Sequence, residues 1–189
     1  MTARCIMGTM TTENHIALLR GINVGGKHRL PMAQLTKFFG QAGATQVQTY
    51  IQSGNVVFAS TPADAPQVVA AVAQLIERQC GFSAPIVLRG AGQWRQLIAN
   101  NPFLAQEADP EILHVAVLAD PPPPERVARL DPRRGVPDQF VVVGADVYLC
   151  LPNGVARTKL TNAWLDSTLR TVSTVRNWRT VLALGQLLN

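Results

Sequence analysis

Segments 16–19, 115–118 and 147–151 are apolar at every successive position. A strand with one wet face alternates apolar and polar residues, so an unbroken short run marks a strand covered on both faces. This constrains the fold more than any other feature of the chain. Sheets must be present, and both faces of each need a covering layer. The runs are too short to span a bilayer. With 47% hydrophobic residues in 189, the chain can fill a sizeable core as one large domain or two small ones.

The order of elements narrows the choice. A strand at 15–22 leads to a helix at 31–42, whose Met32, Leu35, Phe38 and Phe39 form one stripe. Strands at 47–51 and 56–59 flank Gln52-Ser53-Gly54-Asn55, the composition of a hairpin turn. A helix at 64–79, a strand at 85–89 and a further helix at 92–99 complete a βαββαβ unit with one added helix. The second half repeats the order: strand 113–119, a stiff Pro121–124 spacer, helix 124–130, hairpin strands 140–143 and 147–151, helix 159–168, strand 171–175 and helix 177–188. The expected class is α+β, with two successive ferredoxin-like βαββαβ units, each followed by an extra helix. The expected divisions are a flexible tail at 1–13, a first half at 14–102 and a second at 103–189.

Charge is unevenly placed within a formal net charge of +5. Residues 14–63 hold Arg20, Lys27, Arg29 and Lys37 and no carboxylate; residues 147–189 set Arg157, Lys159, Arg170, Arg176 and Arg179 against Asp166 alone. Two acid-poor segments of this kind suit convergence on an anion. Gly21-Ile22-Asn23-Val24-Gly25-Gly26-Lys27 fits the letters of a phosphate loop, but His28 stands where a Ser or Thr would hold magnesium. Leu30-Pro31 also delays the helix, so a nucleoside triphosphatase is disfavoured and a looser glycine-loop anion cradle is expected. In Thr174-Val175-Arg176-Asn177-Trp178-Arg179-Thr180, Asn177 or Thr174 can cap the last helix, with two arginines at its start.

Other chemistries find little support. His15, His28 and His114 are scattered without metal spacing, so no metal site is expected. Cys5, Cys80 and Cys150 form no disulfide framework and suit free thiols in a reducing cytoplasm. Aromatics make up only 6%, with Phe58 alone on the third strand, which argues against sequence-specific nucleic-acid binding on a stacking platform.

Five blocks carry a family likeness: 18–27 (Leu18-Leu19-Arg20-Gly21-Ile22-Asn23-Val24-Gly25-Gly26-Lys27), 50–58 around Gln52-Ser53-Gly54-Asn55, Asn101-Pro102-Phe103, Lys159-Leu160-Thr161-Asn162, and 174–180. Together they resemble domain-of-unknown-function family 1697, a bacterial family. The resemblance implies a duplicated ferredoxin-like α+β fold and brings no activity, cofactor or catalytic residue.

The leading functional expectation is a cytoplasmic protein binding an anionic small molecule, phosphate-bearing or nucleotide-like, with no membrane attachment. Its candidate ligand-binding residues are Arg20, Asn23, Gly25, Gly26, Lys27, Ser53, Asn55, Lys159, Arg176, Asn177 and Arg179. The alternatives are a metal-independent enzyme acting on a phosphorylated metabolite, and a protein-interaction or weak nucleic-acid-binding module.

Overall fold

The computed structural model describes residues 11–188. Residues 1–10 of the expected tail, with Cys5, lie outside the described residues. The first half runs β1 (Glu13–Leu19), α1 (Met32–Gln41), β2 (Thr45–Tyr50), β3 (Asn55–Ser60), α2 (Ala65–Cys80), β4 (Ile86–Gly90) and α3 (Ala91–Ala99). The second runs β5 (Leu113–Leu118), α4 (Pro124–Val127), β6 (Gln139–Val143), β7 (Asp146–Cys150), α5 (Asn162–Leu169), β8 (Ser173–Asn177) and α6 (Trp178–Gln186). The class is α+β: two four-stranded antiparallel sheets, ordered β2-β3-β1-β4 and β6-β7-β5-β8.

The central strands are buried along their apolar runs, as those unbroken runs require. Ile16, Ala17, Leu18 and Leu19 of β1 alternate between two clusters. Ala17 and Leu19 pack under α1 and α2 with Leu35, Phe39, Val68 and Val72. Ile16 and Leu18 face the other way and join Val115, Val117 and Tyr148 of the second sheet, with Trp94 and Leu97 of α3 and Trp178, Val181 and Leu184 of α6. The inner faces of both sheets therefore share one core. The outer face of the second sheet is covered by α4, the turn after it and α5, through Val127, Leu130, Leu165 and Leu169. Trp94 Nε1 donates to the Val181 carbonyl at 3.1 Å, and Tyr148 Oη donates to the Leu97 carbonyl at 2.8 Å, so the polar atoms of two buried aromatics help join the halves.

The two sheets share a register. Ile16 opposes Arg89 and Leu18 opposes Asn55 in the first; Val115 opposes Arg176 and Val117 opposes Asp146 in the second. His15 opposes Gly90, and His114 opposes Asn177.

α4 stops at Val127 and α5 starts at Asn162, each three residues inside its expected span, and three other boundaries differ for physical reasons. β1 starts at Glu13, inside the expected tail, because Glu13 and Asn14 pair with Ser60 and Ala59. It ends at Leu19, since Gly21 turns the chain at a φ of 72°. β8 extends to Asn177 rather than 175 because β5 supplies partners that far. Arg176 is consequently a strand residue and not part of the helix start.

Candidate functional site

The glycine loop is a small hairpin. Lys27 N donates to the Val24 carbonyl at 3.1 Å, and Asn23 N to the His28 carbonyl at 3.1 Å. Gly25 and Gly26 sit at the turn with φ of 59° and 76°. Positive φ at both central residues is the two-residue turn that suits hairpins and that glycine adopts at least cost. The helix begins only at Met32, as Leu30-Pro31 implies, so the loop does not run into a helix N-terminus. Lys27 is exposed at this hairpin. Asn23 spends its amide internally: Oδ1 accepts from Leu30 N at 2.8 Å, and Nδ2 donates to the Leu30 and Gln52 carbonyls, each at 2.9 Å. Its amide thereby fixes the hairpin.

The basic segments meet elsewhere, in a cleft of about 390 Å³ lined by Leu19, Arg20, Ser53, Asn162, Thr174 and Arg176, among others. Arg176 leaves β8 and crosses to the first half. Its Nη2 donates to the Leu19 carbonyl at 2.7 Å and the Ser53 carbonyl at 3.2 Å. Its Nη1 donates to Thr174 Oγ1 at 2.7 Å and the Val175 carbonyl at 2.9 Å, and its Nε donates to Asn55 Oδ1. All five guanidinium N–H groups thus meet neutral acceptors. Burial lowers the Arg176 pKa to about 10, which still leaves the group charged at neutral pH. No carboxylate pairs with it among the described residues.

Arg20 sits at the mouth of the same cleft. Its Nη1 donates to Asp166 Oδ2 and to the Ser173 carbonyl. Asp166 also accepts from Ser173 N at 2.8 Å and Ser173 Oγ at 2.6 Å, so its carboxylate is held by the second half while it receives a cation from the first. The lone carboxylate of residues 147–189 thus pairs with Arg20 and not with Arg176.

The remaining candidates separate. Asn55 is fully buried, and its Nδ2 donates to the Tyr50 carbonyl at 3.1 Å. Asn177 caps α6, accepting from Thr180 N at 2.8 Å. Arg179 and Lys159 are exposed, outside the residues lining the cleft; the Lys159 carbonyl accepts from Arg134 Nε. Thr174, Asn162 and the Arg20–Asp166 link are cleft features that sequence reasoning did not single out.

A second cleft, of about 260 Å³, lies at the opposite arginine. Arg89 leaves β4 and crosses to the second half. There its Nη2 donates to the Leu118 carbonyl at 2.6 Å, the Ala145 carbonyl at 3.0 Å and Asp146 Oδ1 at 3.3 Å. Burial raises the Asp146 pKa, while Arg89 acts in the opposite direction. Sequence reasoning missed Arg89; its signal is a lone cation within an otherwise apolar strand segment, at the register position matching Arg176.

Residues 12–148 match the model of a family described as a protein of unknown function (DUF1697). The chain belongs to this family. A solved structure, the conserved bacterial protein SP0830 from Streptococcus pneumoniae, is similar in fold to this DUF1697 member. Its TM-score is 0.74 at 20% identity, over 95% of this chain and 100% of that one. No curated protein matches the chain. Among the described residues, no helix is long and apolar enough to cross a membrane.

Proposed function

We propose that the chain binds an anionic small molecule, phosphate-bearing or nucleotide-like, in the cleft between Arg20 and Arg176. One observation carries this reading: Arg176 is a buried guanidinium whose whole hydrogen-bonding shell is neutral. With Arg20 and Asp166 paired, one positive charge is left over at the cleft. An isolated buried charge is expensive, and an anionic ligand offsets that cost. The two cations divide the work. Arg176 has no free N–H and contributes its field, whereas among the described residues Arg20 bonds through Nη1 alone, which leaves Nε and Nη2 for a ligand. Ser53, Asn162 and Thr174 add neutral polar groups around the same space.

The architecture is further read as two ferredoxin-like units in tandem, 14–102 and 103–189. The repeated element order, the repeated sheet order and the matching registers support that reading. The free Cys80 and Cys150 thiols fit a reducing cytoplasm, the setting proposed for the chain.

The test is a thermal-shift screen of nucleotides and sugar phosphates, paired with native mass spectrometry of freshly purified protein. At least one compound should raise the melting temperature and be seen bound at one per chain, and Arg20→Gln should weaken it about tenfold or more. A panel that neither shifts melting nor binds defeats the reading.

A further inference from the structure

Asn55 and Asp146 occupy corresponding positions, opposite Leu18 and Val117, and each faces the arginine that crosses from the other half. At that position the two environments differ by an amide against a carboxylate. In the second cleft Asp146 lies 3.3 Å from Arg89, and the other polar side chains around it are the neutral Gln93, Gln96 and Asn100. Cation and carboxylate cancel. In the first cleft the amide of Asn55 accepts the same kind of hydrogen bond and cancels nothing. The first cleft also has Arg20 directly after Leu19, where the second has Ala119 directly after Leu118.

The amide is not there for want of room. Asn55 and Asp have nearly the same shape, and the corresponding position accommodates Asp146 at the end of an equivalent hairpin. A carboxylate at 55 would place a fixed counter-charge against Arg176 in a low-dielectric setting, where a unit charge acts far more strongly than in water. An anion arriving from solvent would then find that cation already neutralised.

We infer that Asn55 is the specificity-determining residue of the anion site: by leaving Arg176 uncancelled it makes the first of the two clefts the anion site, while Asp146 closes the second as a built-in counter-ion. This rests on the anion-binding reading above. The ligand group concerned is a phosphate, and Asn55 acts on it through Arg176 rather than by touching it.

The experiment is isothermal titration calorimetry at low salt with inorganic pyrophosphate as probe. It uses the full chain as wild type, Asn55→Asp and Asp146→Asn, each checked for folding by circular dichroism. Wild type should bind one pyrophosphate. Asn55→Asp should weaken it by about tenfold or more, the effect of one nearby buried charge. Asp146→Asn should add a second, weaker site, weaker because Ala119 replaces the cation that Arg20 supplies in the first. A folded variant of either kind that binds like wild type overturns the role of Asn55 and leaves the anion-binding reading standing. Absence of binding to every form brings down both. Asn55→Asp gives up the bond to the Tyr50 carbonyl and could fail to fold; Asp146→Asn then decides alone, a second site supporting the inference and a single site overturning it.

Discussion

Arg89 and Arg176 hold matching register positions, opposite Ile16 and Val115, and each guanidinium crosses to the strand end and hairpin of the other half. Arg89 caps the Leu118 carbonyl and Arg176 the Leu19 carbonyl, the last residues of the two central strands. Leu19 and Leu118 are buried at the ends of their ladders, so their carbonyls cannot rely on water. The arginines satisfy them from across the interface, which ties the shared core to a reciprocal polar clasp.

Arg89→Ala should be severely destabilising, by about 3–5 kcal/mol, because it leaves the Asp146 carboxylate buried without its cation. Asp146 is already pushed upward by burial, and losing Arg89 removes the one influence that opposes the shift. A carboxylate whose folded pKa is raised contributes stability that is present below its unfolded pKa and lost as pH rises through the folded one. The Arg89→Ala deficit should therefore shrink on acidification, and Arg89→Ala/Asp146→Ala should recover part of it at neutral pH. Urea denaturation across pH checks both; a pH-independent deficit with no recovery in the double variant contradicts this account.

Arg176→Ala should also lower stability. The change orphans the buried Leu19 carbonyl and Asn55 Oδ1, each costing roughly 1–3 kcal/mol if left unsatisfied. Lys27→Ala should be silent within about 0.5 kcal/mol, because Lys27 is an exposed turn residue. Comparable denaturation midpoints for the two variants would rule out the clasp.

The element order was legible because apolar periodicity reports covering layers directly: Ile16–Leu19 of β1 and Val115–Leu118 of β5 are unbroken apolar runs, and α1 and α2 carry clear stripes. The site was legible only in part. Excess positive charge pointed to Arg20 and Arg176, which the fold does bring to one cleft. Composition could not say that Gly25 and Gly26 serve a hairpin turn, or that Asn23 uses its amide on Leu30 and Gln52, since both depend on how the loop closes on itself. The pairing of Arg89 with Asp146 was hidden for another reason. The residues lie 57 apart in sequence, and only the packing of one half on the other brings them together.

Gly54 lies in the β2–β3 turn beside the first cleft, at a φ of 74°. A Cβ added there would sit 2.7 Å from Leu19 Cβ and 2.8 Å from Ile22 Cδ1. Leu19 is a core residue of β1 and cannot yield without moving the strand. Gly54→Ala should cost about 2–4 kcal/mol, combining left-handed strain with overpacking. Gly144, in the corresponding turn, has φ of 59° but open space around it, so Gly144→Ala should show the conformational cost alone. Equal losses at the two positions would mean that the close approach to Leu19 is relieved at no cost.

The last prediction concerns pH. His114 lies on β5, where burial lowers its pKa and the hydrogen bond to the Ile112 carbonyl only partly opposes the shift. A histidine with a depressed folded pKa is neutral in both states above about 6.5, so it has no effect there. As pH falls below that value the unfolded chain takes up the proton first, and stability is lost until the folded pKa is reached. The slope from this residue is at most about 1.4 kcal/mol per pH unit. His114→Gln keeps a polar side chain and removes the titration. The stability of wild type relative to this variant should be level above pH 7 and decline on the acid side. Parallel stability curves for the two proteins between pH 7 and 5 would show that His114 is protonated as readily in the folded chain as in the unfolded one.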